Sequence, residues 1–229
     1  MSSTPASNPF RPEFFRFLRD LAKNNNRDWF QAHKSAYETD VLAPSLSFVD
    51  TIAPRVASIS PTLVADARPV GGSLMRIYRD VRFSKDKSPY RTSMGLHFFH
   101  RDSDWHEGGL PGFFLHLAPG DSFVGAGMWM PSSVDLAQIR KAIVRNPTGW
   151  KKVHAVSMSE DENSLKRVPS GFDPDHEFAA DLKRRSFVAS TSFKDADVTA
   201  PGFPDRFIGD CKRLDVLNRF LSAAVGVEY

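Results

Sequence analysis

Chemically active side chains are densest in residues 76–91, RIYRDVRFSKDKSPYR, which we call the basic segment. Its cations are Arg76, Arg79, Arg82, Lys85, Lys87 and Arg91, and its acids are Asp80 and Asp86. The segment has a net charge of +4, whereas the rest of the chain, with 24 basic and 25 acidic residues, has a net charge of −1. Because guanidinium groups bind phosphate and carboxylate in a bidentate manner, we expect this segment to bind a small anionic ligand.

Residues in and near the segment suggest how such a ligand would be held. Arg76, Arg79, Arg82, Lys85, Lys87 and Arg91 would contact its charge, and Tyr78 and Tyr90 would form walls. A reaction would also need a general base, for which Asp80, Asp86 and Glu38 are the candidates. The sequence identifies neither a reaction nor a cofactor.

Two alternatives use the same charges. The first is nucleic-acid binding, in which the basic segment and the Lys-Arg-Arg run at residues 183–185 contact backbone phosphates. The second is purely structural: the arginines pair with Asp80, Asp86 and Glu38 in a buried ion-pair network.

Other residue types give weaker indications of a functional site than the basic segment does. Four histidines, His97, His100, His106 and His116, fall among predicted strands, but their spacing matches no ligand set and we expect no metal site. Cys211 is the single cysteine of the chain, which excludes an intramolecular disulfide, and it lies on an apolar helix face. No Gly-x-Ser-x-Gly motif is present.

Composition is typical of a globular protein. The 229 residues are 41% hydrophobic and include 19 phenylalanines, which suffices for a sizeable core. The absence of a signal-peptide pattern, of a membrane span and of a disulfide framework favours a cytoplasmic location. We expect residues 1–10 to form a flexible leader and residues 11–229 to form a single domain.

Hydrophobic spacing predicts helices over residues 12–23 and 27–41, and a third that starts near Pro44 and is kinked or shortened by Pro54. Four strands are predicted over residues 74–78, 94–100, 112–117 and 122–130. Ala118-Pro119-Gly120-Asp121 predicts a hairpin turn, and Gly125 and Gly127 indicate a bulge or a close backbone approach.

Helices return after the strands. One is predicted from Ser132, which forms a capping box with Asp135, to Asn146, and others over residues 150–156, 177–185 and 205–224. This order predicts an α+β fold, a single domain with a mainly antiparallel sheet flanked by N-terminal and C-terminal helices.

Two motifs carry a resemblance to a known family. The first motif is Asn25-Asn26-Arg27-Asp28-Trp29-Phe30, and the second is the run from Arg76 to Tyr90, with Gly125-Ala126-Gly127, Trp129 and Pro131 downstream. Together they resemble the domain-of-unknown-function 2461 family of bacteria and fungi. Arg91 stands where the family motif has lysine, which preserves the charge.

The resemblance assigns no activity, substrate or cofactor, but it implies that the two motifs belong to one unit. We call residues 25–29 the asparagine turn. Our hypothesis is that this turn packs beside the basic segment and forms one pocket with it, to which Asn25, Arg27 and Trp29 would contribute.

Overall fold

Helices cover one face of a five-stranded antiparallel sheet in the computed structural model, which describes residues 7–103, 109–156 and 158–229. The α-helices are α1 Pro12–Lys23, α2 Arg27–Ala32, α3 Lys34–Tyr37, α4 Ala43–Ala57, α5 Ser133–Arg145, α6 Pro147–Val153, α7 Ala179–Leu182, α8 Asp195–Thr199 and α9 Phe203–Val225, with a π-helix at Glu38–Leu42. The strands are β1 Leu63–Val64, β2 Met94–His100, β3 Gly112–Leu117, β4 Ser122–Met128 and β5 Phe187–Phe193. The predicted α+β fold with a single domain is confirmed.

The N-terminal helices follow the predicted pattern with one difference. Helix α1 has the predicted bounds and buries its phenylalanine-rich face. The helix predicted over residues 27–41 is interrupted at His33, whose φ of −113° and ψ of 15° are not helical, and it ends in the π-helix. Helix α4 contains Pro54 and ends three residues later, at Ala57, so that proline lies in the last turn.

The sheet is a meander in which each strand pairs with the next along the chain. The predicted hairpin joins β3 to β4, and Gly120 has a φ of +74° in its turn. Gly127 makes a close approach, because a Cβ atom there would lie 1.9 Å from the Phe187 carbonyl oxygen. Strands β1 and β5 and helix α8 were not predicted, and the helix expected over residues 177–185 is the single turn α7.

Residues 74–78 do not form the predicted strand. They make two isolated bridges instead, Leu74 to Leu96 and Tyr78 to Tyr90. Arg76 and Tyr78 are exposed and Ile77 is buried, so burial alternates along these residues as it does in a strand. The ladder is not extended beyond Tyr78, because polar side chains of the following residues bond to the local backbone and compete with it.

The core lies between the sheet and helices α4 and α9. Phe98 on β2 contacts Phe207 on α9, with ring centroids 5.3 Å apart. Cys211, on the same helix, is fully buried, as its apolar helix face predicted, and burial raises the pKa of its thiol well above the ordinary value.

The packed chain begins before residue 11. Phe10 is fully buried, and the buried Asn8 side chain donates hydrogen bonds to the carbonyls of Val198 and Ala200 at 2.8 and 2.7 Å. These residues therefore belong to the domain although they were assigned to the leader. Among the described residues, no helix combines the length and the apolarity needed to cross a membrane.

Candidate functional site

The basic segment folds back on itself as an irregular hairpin. The Tyr78–Tyr90 bridge is flanked by two hydrogen bonds: the Arg79 amide donates to the Pro89 carbonyl at 2.9 Å, and the Arg91 amide to the Ile77 carbonyl at 2.7 Å. The residues between Arg79 and Pro89 form a closed loop whose shape is set by side-chain contacts.

Both acidic residues of the segment maintain that loop. Asp80 accepts hydrogen bonds from Nε and Nη2 of Arg82 at 3.0 and 2.6 Å. Asp86 accepts from the amide and the hydroxyl of Ser88, at 2.9 and 2.6 Å, and from Arg79. These bonds lower the pKa of each carboxyl group to about 2, so both groups are ionised and weakly basic at neutral pH.

The cations of the segment therefore divide into two groups. Arg79 and Arg82 are ion-paired, and Lys87 donates to the Val81 carbonyl at 3.0 Å. Four other cations are exposed and make no ion pair with any residue that the structure describes, namely Arg76, Lys85 and Arg91 of the segment and Arg27 of the asparagine turn. These four side chains, which we call the unpaired cations, are available to an external anion.

The asparagine turn is attached to the basic segment by one side chain. Asn25 donates from Nδ2 to the Tyr90 carbonyl at 2.9 Å and accepts at Oδ1 from the Tyr90 amide at 3.1 Å. Asn26 caps helix α2 by accepting from the Trp29 amide at 2.9 Å. The expected packing of the two motifs is present, and it passes through the Tyr90 backbone.

Aromatic rings support this junction. Phe30 of α2 stacks on Tyr90 with centroids 4.1 Å apart, and the Tyr78 ring lies 5.4 Å from Tyr90. Burial, with the nearby Tyr78 and Glu38, raises the pKa of Tyr37 to about 12, so its hydroxyl stays protonated. Tyr90 is buried, whereas Tyr78 is 55% exposed and can contact a ligand.

Trp29 and Glu38 face other surroundings. Trp29 stacks on His33 at 4.0 Å and lines a cavity of about 310 Å³ with residues of α1, and no residue of the basic segment lines that cavity. Glu38 lies 3.7 Å from Lys34 in an exposed i,i+4 pair. The structure thus brings Asn25 to the basic segment, and it places Arg27 near enough to Tyr90 for its charge to act on the pKa of that hydroxyl. It does not bring Trp29 into a pocket with the cations of the segment.

The run at residues 183–185 is not a continuous basic surface. Arg184 donates from Nε to Asp181 at 3.1 Å and from Nη1 to the Ser159 carbonyl at 2.8 Å, and it is largely buried. Arg185 is exposed, and its backbone amide bonds to Asp161.

The histidines do not form a metal centre within the residues that the structure describes. No group of three or more His, Cys, Asp or Glu side chains lies close enough there to hold a metal ion. His100 is buried, with its Nε2 atom 2.7 Å from the Glu228 carbonyl oxygen. His97 is half-buried, and desolvation lowers its pKa to about 4, while His106 lies outside the described residues.

The sequence profile of a family described as conserved hypothetical protein, DUF2461, matches residues 13–220 of the 229-residue chain. The chain belongs to this family. Both the asparagine turn and the basic segment lie inside the DUF2461 match, which confirms the resemblance noted from their residues. A search of curated proteins found no match to the chain.

Two features of the site had no clear signal in the sequence. Phe30 stacks on Tyr90 across the junction, a contact between distant residues that helical spacing does not indicate. Phe83 is 96% exposed, despite being one of many phenylalanines expected in the core. Its position between Arg82 and Ser84, in a loop of polar residues, is the one local indication of exposure.

Proposed function

We propose that this protein binds a small phosphate- or carboxylate-bearing ligand at the surface formed by the basic segment and the asparagine turn. The observation that carries the proposal is the division of charges: both acids of the segment are used inside its loop, and the unpaired cations remain exposed. Exposed cations that make no ion pair within the protein create a positive potential that attracts anions.

The way in which the segment is held supports the same proposal. Asn25 fixes the Tyr90 backbone, and Asp86 fixes Arg79 and Ser88, so the hairpin is ordered before a ligand arrives. A preorganised site loses less conformational entropy on binding than a flexible one. We assign Asp80 and Asp86 to this structural role, because carboxyl groups with a pKa of about 2 are poor general bases at neutral pH.

Nucleic acid is the second candidate, and one observation favours it. Phe83, 96% exposed, projects from a loop that also carries Arg82 and Lys85, and Tyr78 is exposed on the same hairpin. Single-stranded nucleic acids bind to surfaces that combine cations with exposed aromatic rings on which bases stack. A cytoplasmic location, predicted from the sequence, is compatible with either ligand.

The test is calorimetric titration with inorganic phosphate, citrate and a short oligothymidylate. We expect Arg76→Gln and Arg91→Gln each to weaken binding about three-fold, since an exposed charge pair contributes up to about 1 kcal/mol. The control is Arg167→Gln, which removes the same charge from an exposed arginine outside the site. Unchanged affinities in both site variants would refute the proposal.

Salt dependence distinguishes the two ligands. Contact of four cations with a single strand predicts a log–log slope of about −3 for the oligothymidylate, whereas a small anion gives a shallower dependence. A steep slope, together with weaker oligothymidylate binding by Phe83→Ser, would favour nucleic acid. Tight citrate or phosphate binding that Phe83→Ser leaves unchanged would favour the small ligand.

A further inference from the structure

The two faces of the sheet differ in their surroundings. Leu96, Phe98 and Val124 point to the core and are fully buried. The alternate residues, such as Phe114 and Phe123, point to the opposite face and are half-buried. That second face carries a groove of about 910 Å³, which we call the sheet groove. Small-molecule sites have volumes of roughly 300–1,000 Å³, so the groove is large enough for a small molecule.

Glycine makes room in the floor of the groove. At Gly125, a Cβ atom would meet nothing closer than 3.8 Å, and its nearest neighbours include the Phe123 ring and the Val188 side chain, which both line the groove. A larger residue at position 125 would therefore fit the strand without a clash, and its side chain would project into the groove. The volume of the groove depends on the absence of a side chain at this position.

A strained turn lies at the rim. Met130 has a φ of +48°, which is uncommon for a residue with a side chain, and its amide donates to the Ser186 hydroxyl at 3.1 Å. The preceding Trp129 is 69% exposed and lines the groove. Strain that the surrounding contacts maintain is a common property of ligand-binding positions.

The lining has a definite chemical character. Phe99, Phe114, Phe123 and Trp129 contribute aromatic rings, and Ser190 and other serines contribute hydroxyl groups between them. Asp121 and Glu160 are the charged residues of the described lining, which contains no lysine or arginine. His97 adds no positive charge at neutral pH, because desolvation lowers its pKa to about 4.

We infer that the sheet groove is a second ligand site, distinct from the basic segment, and that it binds a planar aromatic cation. Aromatic faces attract cations through their quadrupoles, and carboxylates at the same site add charge complementarity. The described lining contains none of the unpaired cations, so the two proposed sites have opposite charge preferences.

The experiment compares three probes that share one ring system: naphthylmethylammonium, naphthalenemethanol and naphthoate. Binding is measured at pH 7 by calorimetry. We expect the cation to bind most tightly and naphthoate at least about ten-fold more weakly, because like charges at a site repel. Equal affinities for the cation and naphthoate would overturn the assignment.

A variant locates the site. Gly125→Leu fills the groove and should abolish binding of the ammonium probe, while urea unfolding confirms that the variant is folded. The matched control is Gly209→Leu, at an exposed α9 position with no heavy atom within 4 Å, and it should bind normally. A folded Gly125→Leu with unchanged affinity would contradict the proposal. Arg76→Gln, which tests the basic segment, should leave this binding unchanged, so the two proposals can fail separately.

Discussion

Asn25 offers the sharpest test of how the candidate site is built. Its carboxamide makes two hydrogen bonds to the backbone of Tyr90, 65 positions along the chain, and thereby joins the asparagine turn to the basic segment. The substitution Asn25→Ala removes both bonds and leaves the backbone amide and carbonyl of the buried Tyr90 without these partners. The unpaired cations depend on this junction for their placement.

The expected cost follows from the number of bonds. A hydrogen bond contributes a net of about 0.5–1.5 kcal/mol, so the loss of two predicts a decrease of about 1–3 kcal/mol in the free energy of unfolding. For a chain of this size, a loss of about 2 kcal/mol lowers the melting temperature by about 4–8 °C. Asn25→Asp should be at least as harmful, because a carboxylate accepts from the Tyr90 amide but repels its carbonyl.

Urea denaturation of the wild type and the variants gives these free energies. The neighbouring residue provides the control: the exposed Asn24 side chain donates to the Asp20 carbonyl at 3.0 Å within its own helix end. Asn24→Ala should therefore change the free energy of unfolding by about 0.5 kcal/mol or less. An Asn25→Ala variant that costs no more than Asn24→Ala would show that the Asn25 hydrogen bonds do not hold the junction together.

Three further predictions concern stability, and urea denaturation measures each. Because burial lowers the His97 pKa from 6.5 to about 4, the unfolded chain takes up a proton between these pH values that the folded chain does not. The contribution of His97 to the free energy of unfolding should therefore be fully present above pH 6.5 and should fall by up to about 3 kcal/mol towards pH 4. The substitution His97→Phe should reduce this loss. A His97→Phe variant with an unchanged pH profile would exclude that residue as the cause. Gly127→Ala should cost about 3 kcal/mol or more, since its Cβ would collide with the Phe187 carbonyl at a φ of +120°, whereas Gly125→Ala should be nearly neutral, and equal costs would contradict this account. Asp181→Ala should cost about 3–5 kcal/mol, because the buried carboxylate accepts from a tryptophan, a histidine and an arginine, and a loss below 1 kcal/mol would show that these groups find other partners.

Local patterns in the sequence predicted helices α1, α5 and α9 and the central hairpin well. Helix α1 was predicted with its observed bounds because its apolar residues recur at helical spacing from Pro12 onward. The β3–β4 hairpin followed from the turn at Gly120, which supplies the positive φ that the turn requires. Each of these elements is specified by residues that are neighbours along the chain.

Elements that depend on distant partners were missed. Strand β5 pairs with β4, about 60 residues earlier, and its consecutive polar residues Ser190, Thr191 and Ser192 interrupt the apolar pattern that marks a strand. The sheet groove has no local signature either. It results from a face that the core helices do not cover and from the missing side chain of Gly125.

The structure of the basic segment was predicted only in part. Its composition predicted anion binding, and the hypothesis that the asparagine turn packs against it agrees with the Asn25 contacts. The sequence could not show which cations are free, because the Arg79–Asp86 and Arg82–Asp80 pairs depend on how the loop folds. The π-helix at Glu38–Leu42 was also beyond prediction from helical spacing.

The central claim is that the unpaired cations bind an anion. The most direct measurement is a titration of the isotopically labelled protein with inorganic phosphate, followed by amide chemical shifts at constant ionic strength. We predict saturable shifts centred on Arg27, Arg76, Lys85 and Arg91, with the amides of the sheet groove unmoved. Shifts that do not saturate, or that centre on the sheet groove, would contradict the claim.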